Sequence, residues 1–300
     1  MTRASLIVLS LLRLESTRCC LAVLDAQKRP EDEILIVDNG STPDVVTWLS
    51  EFAADRDDVT LLLNESNRGT SRGRNQGAAR ARGKWLVFVD NDVELAPGCL
   101  DRLIERAEAS DRPLCVPKIL SERNRVLMGP PALVAGGPSA SPSCVGLRFE
   151  RAYASDDPAV NEAGFVPWYP STCILVPRRA FDAAGGFDEQ YEIAEEDKDF
   201  CLAVGRAGHR IAYVPEAQVR HRDRDQSSEY RAIRDRRAVL KQDLDRFEAK
   251  WQCRAVLECT RGYLEALGLT AGQIELKRRF DIFTTVVDDP AEPGEEETAR

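Results

Sequence analysis

Short apolar runs alternate with helical segments through the first hundred residues, and this alternation restricts the fold more than any other feature of the sequence. The apolar runs at 5–12, 33–37, 59–63 and 85–89 are predicted to be strands. The segments between them, at 13–27, 43–54 and 70–82, are predicted to be helices. Continuous apolar strands that alternate with helices are typical of a parallel sheet covered on both faces. The sequence therefore predicts an α/β fold.

Composition and charge exclude several classes of protein. A hydrophobic content of 43% over 300 residues is enough to bury a full core. The net charge of −9 repels nucleic acids, and no basic face offsets it, so no nucleic-acid partner is expected. The apolar run after Arg3 is too short to cross a bilayer, and no transmembrane segment is expected elsewhere. The nine cysteines contain no C-x-x-C pair, so we expect free thiols in a cytoplasmic protein, either unattached or peripheral to a membrane.

The second half of the sequence is less regular. Prolines, glycines and serines from about residue 115 predict long loops, and ordered structure resumes near 172. A strand is predicted at 172–177, helices at 178–184 and 196–206, and extended segments at 211–214 and 217–220. Apolar side chains between Tyr230 and Trp251 recur at three- and four-residue steps, which predicts a long amphipathic helix. This helix packs against the main domain, forms a homodimer seam through residues 226–251, or docks an acceptor.

Acidic residues follow two of the predicted strands. Asp38 comes directly after one apolar run and Asp90 after another, and ligands of such sheets bind outside the carboxyl ends of the strands. Asp90 and Asp92 are two apart in an extended segment, which would place both carboxylates on one face. Such a pair suits a hard divalent cation shared with phosphates. The alternative is that Asp90 caps a turn and Asp92 is solvated.

Three further groups are candidates for a site. Gly69, Gly73 and Gly77 permit a close backbone approach, and Arg72 and Arg74 are placed to reach a diphosphate. A solvated Arg-rich helix face is the competing interpretation. Glu196 and Asp197 open a predicted helix on the side of its apolar stripe, so either is a candidate general base. The helix dipole alone also favours acids there. His221 shares the apolar side of its strand, as a core group or a ligand.

Taken together, these residues resemble the family 2 glycosyltransferases of GT-A fold. The resemblance extends over about residues 5 to 222 and rests on the order and spacing of its pieces. These are ILIVDNGS at 34–41, NRG at 67–69, RNQG at 74–77, Gly83, DND at 90–92, GGFDE at 185–189, Glu196-Asp197, DFC at 199–201, Gly208, Pro215 and His221.

The resemblance implies a role for each matching position. Asp38 would contact the nucleobase or ribose, Asp90 the ribose or a metal, and Asp92 the metal that bridges the donor diphosphate. Asp197, with Glu196 as the second candidate, would deprotonate the acceptor, and His221 would complete the metal or diphosphate site. The remaining nucleotide contacts would come from Asn67, Gly69, Arg74 and Asn75. Trp168 and Tyr169, which lie outside the matching pieces, either stack on the acceptor or belong to the core.

The implied fold is a GT-A type, nucleotide-binding, mixed but mainly parallel sheet flanked by helices. The catalytic domain would span 1–225, with a nucleotide-sugar half at 1–112 and an acceptor half at 113–225, followed by a helical extension at 226–287 and a disordered acidic tail at 288–300. The implied reaction is an inverting single displacement that depends on Mg²⁺ or Mn²⁺. A UDP-sugar is the default donor, dTDP- and GDP-sugars are alternatives, and the acceptor stays open.

One departure and two competing functions accompany the resemblance. The family usually carries a Tyr-Asn-like pair after the first strand, whereas this sequence has Leu11 and Leu12 followed by Arg13. A sugar-phosphate nucleotidyltransferase shares the nucleotide-binding sheet, but the glycine-rich basic loop expected after its first strand is absent from SLLRLES. A non-catalytic nucleotide-sugar-binding module would not need Asp90, Asp92 and Asp197 together.

Overall fold

The computed structural model describes residues 2–109, 113–128, 145–148, 154–156, 158–222, 232, 236–252, 255–260, 271 and 284–287. Much of the predicted loop region at 129–153 therefore lies outside the described residues. The same holds for most of the first turns of the predicted amphipathic helix and for the predicted acidic tail.

The first ninety residues form the predicted alternation of strands and helices. The strands are β1 (Ala4–Ser10), β2 (Glu33–Asp38), β3 (Val59–Leu63) and β4 (Trp85–Asp90), and the helices are α1 (Leu14–Gln27), α2 (Pro43–Ala53) and α3 (Thr70–Arg80). All seven predicted elements are confirmed, with bounds that differ from the predicted ones by at most two residues. A short strand β5 (Val93–Leu95) and helix α4 (Cys99–Glu108) follow. The α4 face that includes Leu100, Leu103 and Ile104 is buried, an amphipathic pattern that the sequence interpretation did not use.

The prediction of loops from residue 115 is wrong at its start. Strand β6 (Leu114–Leu120) is buried at every position and lies in the middle of the sheet. Pro117 and Lys118 interrupt its apolar pattern and hid it from the sequence interpretation. The Lys118 ammonium is satisfied by the carbonyl oxygen of Ser155 and the Oδ1 of Asn161, both at 2.6 Å, so a charged side chain is tolerated there.

Three short strands that the sequence did not predict, followed by the predicted strand, two helices and extended region, complete this part of the chain. They are β7 (Val126–Met128), β8 (Val145–Arg148), β9 (Gly164–Val166), β10 (Cys173–Pro177), α5 (Arg178–Ala184), α6 (Glu196–Arg206) and β11 (Ile211–His221). The two predicted extended segments at 211–220 are one strand, in which the register against β6 shifts between Val214 and Gln218. A bulge of this kind explains why the alternation of polar and apolar residues breaks at Pro215.

Within the described residues the central sheet is mixed and has ten strands, with the main path β3-β2-β1-β4-β10-β6-β11-β5. Strands β3, β2, β1 and β4 are parallel, and β10 joins β4 and β6 in antiparallel pairing. Ser10 pairs with Asp38, and Leu9 pairs with Asp90, so both acids lie at the same carboxyl edge of the sheet. The order of strands therefore brings together the two acids for which the sequence predicted a ligand site.

Strand β5 brings distant parts of the chain together. It pairs antiparallel with the end of β11, where Val93 lies opposite His221. Because Asp92 directly precedes Val93, this pairing carries His221 to the aspartates after β4. The segment from Asp90 to Asp92 is not continuously extended, since β4 ends at Asp90 and a turn follows. The prediction that Asp90 and Asp92 lie on one face of a continuous strand is therefore wrong.

The C-terminal region is helical only in part. Helix α7 (Arg237–Trp251) packs against the main domain through Phe247, which is fully buried in the core. Beyond it, β12 (Ala255–Thr260) and β13 (Thr284–Val287) form a three-stranded parallel sheet with β8. None of the helices in the described ranges combines the length and the apolar character needed to cross a bilayer.

Candidate functional site

Asp38 ends β2 and is completely buried. Its Oδ2 accepts hydrogen bonds from the backbone N–H groups of Gly40 (3.2 Å) and Ser41 (2.9 Å). Its Oδ1 has no hydrogen-bond partner within the described residues. A buried carboxylate oxygen is costly unless a water or a ligand satisfies it. Asp38 is therefore suited to accept a hydrogen bond from a bound polar ligand.

Asn39 connects the loop after β2 with the loop after β3. Its Nδ2 donates to the Oδ1 of Asn67 (2.9 Å) and to the carbonyl oxygen of Gly69 (3.2 Å). Its Oδ1 accepts from the N–H of Arg68 (3.1 Å) and the Nδ2 of Asn64 (3.2 Å). The predicted site residues Asn67 and Gly69 are thereby held next to Asp38, at the same edge of the sheet.

Arg74 bridges the two halves of the site. Its side chain is only 5% exposed, and its Nη2 lies 2.8 Å from the Oδ1 of Asp90 while its Nη1 lies 3.2 Å from the Oε1 of Glu196. Burial would lower the pKa of Arg74, but the two carboxylates outweigh it and raise that pKa, so the guanidinium stays charged. The Arg74 guanidinium also lies over the Phe187 ring, at 5.3 Å from its centroid. Two carboxylates of distant segments are thus joined by one cation.

Asp92 lies in a buried cluster with Arg13 and His221. The Asp92 side chain is 6% exposed and that of Arg13 is 2% exposed, and the Arg13 Nη1 forms an ion pair with the Asp92 Oδ2. The Nε2 of His221 lies 3.4 Å from the same oxygen. The backbone fixes the cluster further, because the N–H of Arg222 donates to the Asp92 carbonyl (2.7 Å) and Arg13 Nη2 donates to the Arg222 carbonyl (3.0 Å). Burial raises the pKa of Asp92, an effect that His221 and Arg13 oppose.

The cluster has a donor set that fits a divalent cation shared with phosphates. No group of three or more His, Cys, Asp or Glu side chains among the described residues converges as a protein-only metal site. Mg²⁺ is commonly held by one or two carboxylates together with substrate phosphates, and imidazole is a further ligand for softer cations. The Asp92 carboxylate and the His221 Nε2 fit this description. The Arg13 guanidinium occupies the same Asp92 oxygen and would compete with a cation.

Asp197 lies in the first turn of α6 and remains partly accessible to solvent. Its Oδ1 accepts the N–H of Lys198 at 2.7 Å. The surrounding protein raises the pKa of Asp197 by desolvation, and Lys198 and Arg74 partly offset this effect. Glu195, just before the helix, has a left-handed backbone with φ of 69°. An accessible carboxylate with a raised pKa suits proton transfer better than Glu196, whose carboxylate is held by Arg74.

Three other predicted residues occupy positions with less access to a ligand. The Asn75 amide donates to the carbonyl oxygen of Phe187 (2.8 Å) and accepts from its N–H (3.0 Å), so it supports the turn before α6. Tyr169 is completely buried, and its ring lies 6.0 Å from that of Tyr213. Trp168 is 3% exposed, and its indole Nε1 has no hydrogen-bond partner within the described residues. Both aromatic residues thus belong to the core in this structure.

The comparisons with known proteins agree with this architecture. Residues 5–130 match the family model described as Glycosyl transferase family 2. Over these residues, which are fewer than half of the chain, the protein is similar to glycosyltransferase family 2. A similar curated protein is the N-acetylglucosaminyl-diphospho-decaprenol L-rhamnosyltransferase of Mycobacterium tuberculosis, which is 29% identical and matches over 65% of this chain and 68% of the relative.

Solved structures of GT-A glycosyltransferases share the fold. One is GalNAc-T7 with UDP, GalNAc and Mn²⁺, with a TM-score of 0.59, 15% identity, and coverage of 85% of this chain and 55% of that chain. Another is the mannosyltransferase PcManGT from Pyrobaculum calidifontis in complex with GDP-Man and Mn²⁺, with a TM-score of 0.55, 18% identity, and coverage of 81% and 63%. The chain therefore spans less than two thirds of these two structures.

The family resemblance did not reveal every residue that shapes the site. Arg13 stands at the point where the sequence departs from the family pattern, and both Leu12 and Arg13 adopt left-handed backbones there. This geometry belongs to the short loop that follows β1 and carries the Arg13 guanidinium to Asp92. Asn39 belongs to the quoted motif ILIVDNGS and lies just after the predicted strand. Its place at the end of a strand was the signal that could have identified it. Asp199, which was quoted in the family motif without a role, and Asp243, which was not considered, are both buried.

Proposed function

We propose that this protein transfers a sugar from a nucleotide-diphosphate donor to an acceptor nucleophile, in a single displacement that inverts the anomeric carbon. The observation that carries the proposal is the buried Arg74 guanidinium, which contacts Asp90 at the end of β4 and Glu196 next to Asp197. The reaction needs an edge that receives the diphosphate and a carboxylate that accepts a proton, close to each other. Arg74 holds these two parts of the chain together.

The nucleotide would bind over the carboxyl ends of β1, β2 and β4. Asp38 would accept a hydrogen bond from the nucleobase or the ribose through its unpartnered Oδ1. Asn67 and Gly69 would line the nucleotide, held in place by Asn39. Because Asn75 supports the turn at Phe187, its contribution would be to position the site rather than to contact the ligand.

Asp92 and His221 would hold Mg²⁺ or Mn²⁺, with Asp90 at the ribose or at the ion. Such a cation would neutralise the charge that develops on the departing nucleoside diphosphate. GalNAc-T7 and PcManGT were crystallised with Mn²⁺, which supports this assignment without extending it to these particular residues. The chemistry of Asp92 and His221, one oxygen and one nitrogen ligand 3.4 Å apart, supports it independently.

Asp197 would be the general base. It would take the proton from the acceptor while the acceptor oxygen attacks the anomeric carbon and the bond from that carbon to the diphosphate breaks. A pKa raised by burial makes Asp197 a stronger base than a solvated aspartate. Glu196, bound to Arg74, would fix the orientation of this helix turn instead.

The donor is open among UDP-, dTDP- and GDP-sugars. The two related structures contain UDP and GDP-Man, and the curated relative is named for transfer of rhamnose to a lipid-linked diphosphate acceptor. A panel of these nucleotide sugars and their nucleoside diphosphates, each with and without Mn²⁺, would identify the donor by thermal shift. A ligand at 100 times its Kd stabilises the native state by about 2.7 kcal/mol, which corresponds to a rise in Tm of roughly 5–10 °C.

The proposal predicts that one nucleotide class raises Tm only together with Mn²⁺ or Mg²⁺, and that its diphosphate is released on turnover. The absence of a shift with every nucleotide would refute it. Release of pyrophosphate from a nucleoside triphosphate and a sugar phosphate would instead favour a nucleotidyltransferase. A shift without any turnover, with water or with acceptors, would favour a binding module.

A further inference from the structure

The buried carboxylate of Asp243, on helix α7, binds three consecutive backbone N–H groups of a distant segment. Its oxygens accept from Glu192 (3.3 Å), Ile193 (2.9 Å) and Ala194 (3.1 Å), which are 49 to 51 residues away in sequence. Asp243 is 1% exposed. A buried carboxylate is tolerated only when hydrogen bonds or ion pairs satisfy it. Within the described residues no Lys or Arg forms an ion pair with Asp243, so these backbone groups stabilise the charge.

The three N–H groups directly precede the residues proposed for catalysis. Ala194 is followed by Glu195, whose φ of 69° is unusual for a residue with a side chain, and α6 then begins at Glu196. A strained backbone of this kind persists only where its surroundings hold it. Asp243 fixes the chain immediately before the strained residue, and therefore fixes the direction in which the first turn of α6 presents Asp197.

Other side chains at the end of α7 bind residues on both sides of Asp197 in sequence. The Nζ of Lys250 lies 2.8 Å from carboxylate oxygens of both Asp188 and Asp199. The Nε1 of Trp251 donates to Asp199 at 2.7 Å. We define residues 188–199 as the catalytic segment. Helix α7 therefore holds the catalytic segment both before and after Asp197.

We propose that Asp243 is a positioning residue for Asp197, and that helix α7 serves as an external support for the catalytic segment. The assignment of Asp197 as the base rests on the proposed function, whereas the ordering of residues 192–194 by Asp243 does not. Removal of the Asp243 carboxylate frees three N–H groups and allows the Glu195 backbone to relax. Asp197 then loses its alignment with the acceptor while the donor edge, built on β1, β2 and β4, stays intact.

The test compares Asp243→Asn and Asp243→Ala with the control Asp245→Ala. Asp245 lies on the same helix, is 60% exposed and pairs only with Lys241 among the described residues, so its loss leaves the catalytic segment untouched. The Asn variant keeps one carbonyl oxygen, enough to accept from Ile193 and Ala194, which both bind the Asp243 Oδ2. The exchange rates and the kcat of Asp243→Asn should therefore lie between those of the wild type and those of Asp243→Ala.

The first measurement is hydrogen–deuterium exchange of the backbone amides of Ile193 and Ala194. In Asp243→Ala these amides should exchange at least about tenfold faster. The free energy of a hydrogen bond to a charged group corresponds to a factor of about ten or more in the equilibrium constant for local opening. The Asp243→Asn variant should lie between, and Asp245→Ala should match the wild type. Unchanged protection in Asp243→Ala would overturn the proposal, whatever the activity of the protein.

The second measurement is release of UDP from UDP-N-acetylglucosamine, or of GDP from GDP-mannose, with water as the nucleophile. Water attacks the anomeric carbon, the nucleoside diphosphate leaves, and the proton of the water passes to Asp197. Asp243→Ala should lower kcat about 10- to 100-fold, the cost of a misplaced catalytic group, with little change in the KM for the donor. Partial recovery of kcat in Asp243→Asn would support positioning.

The outcomes separate this inference from the function on which it rests. A raised donor KM with unchanged kcat would overturn the positioning role. If the wild type releases no nucleoside diphosphate from these two donors but the amides of Asp243→Ala lose protection, the support of the catalytic segment stands, and the full panel of donors and acceptors decides the proposed function. If Asp243→Ala does not fold, the Asn variant decides, since a normal kcat together with normal protection there would refute the proposal.

Discussion

Replacing Arg13 with methionine tests the buried cluster around Asp92 most directly. The side chains of Arg13 and Asp92 are 2% and 6% exposed, so the substitution leaves a buried carboxylate without its cationic partner. Breaking one side of a buried ion pair costs about 3–5 kcal/mol. His221, whose Nε2 lies 3.4 Å from the same oxygen, offsets part of this cost. Each kcal/mol lowers Tm by roughly 2–4 °C in a domain of this size, so we expect a fall on the order of 10 °C without a metal.

The response of Arg13→Met to Mn²⁺ distinguishes a metal site from a structural ion pair. In the wild type a cation must displace the guanidinium from the Asp92 Oδ2, whereas in the variant that oxygen is free for the cation. The rise in Tm on addition of Mn²⁺ should therefore be larger in Arg13→Met than in the wild type. If displacement of the ion pair costs even 1.4 kcal/mol, the affinity for Mn²⁺ should rise about tenfold.

The matched control is Arg18→Met on helix α1. Arg18 is 43% exposed and pairs with the exposed Glu15, and such surface pairs contribute only about 0–1 kcal/mol. Thermal melts of both variants, with and without Mn²⁺ and with the donor, give the comparison. The reasoning is refuted if Arg13→Met melts like Arg18→Met, or if Mn²⁺ stabilises Arg13→Met no more than the wild type.

Three further substitutions test the remaining parts of the site. Asp197→Asn should lower turnover about 10²- to 10⁴-fold, as loss of a general base does, while thermal shifts by the donor persist. Because the pKa of Asp197 is raised in the folded state, its charge destabilises the fold above that pKa, so Asp197→Asn should raise Tm at neutral pH and lose this advantage as pH falls. Asp92→Ala should make donor binding independent of Mn²⁺ by calorimetry, and an unchanged difference with and without the metal would exclude Asp92 as a ligand. Arg74→Met should destabilise the fold by about 3–5 kcal/mol, measured by urea denaturation, because two carboxylates lose their shared cation; a wild-type midpoint would refute the bridge.

The elements of the first ninety residues were predictable because each carries its own periodic signal. Apolar runs bounded by turns identified β1 to β4, and the acids at the strand ends indicated the edge at which the site is proposed. Strand β6 was missed because Pro117 and Lys118 interrupt its apolar pattern. Its pairing with β10 on one side and β11 on the other outweighs the low strand preference of these two residues. Burial between neighbouring strands is a property of the whole sheet, and no window of sequence reports it.

The contacts within the site were less predictable than the residues. Asp92 and His221 could be assigned to one site only through the family resemblance, because the β5–β11 pairing that joins them involves a three-residue strand. Arg13 reaches Asp92 across 79 residues of sequence, and no local pattern records such a pair. Asp243 did leave a trace, since it lies three residues after Leu240 and four before Phe247, the spacing of the apolar stripe. A buried aspartate at such a position requires hydrogen-bond partners. The sequence does not show that these partners are the backbone N–H groups of residues 192–194.

The charges of the site give a reason for donor and cation to bind together. Among the described residues, the four carboxylates of Asp90, Asp92, Glu196 and Asp197 outnumber the cations that offset them, which are the guanidinium groups of Arg13 and Arg74 and the ammonium of Lys198. A nucleoside diphosphate adds further negative charge to the same edge, which this surplus of carboxylates would repel. A divalent cation at the proposed site of Asp92 and His221 would reverse that repulsion, and by linkage the donor would strengthen binding of the cation by the same factor. Calorimetric titration of Mn²⁺ with and without the nucleotide should therefore give reciprocal changes in affinity, and independent binding would mean that the cation lies elsewhere.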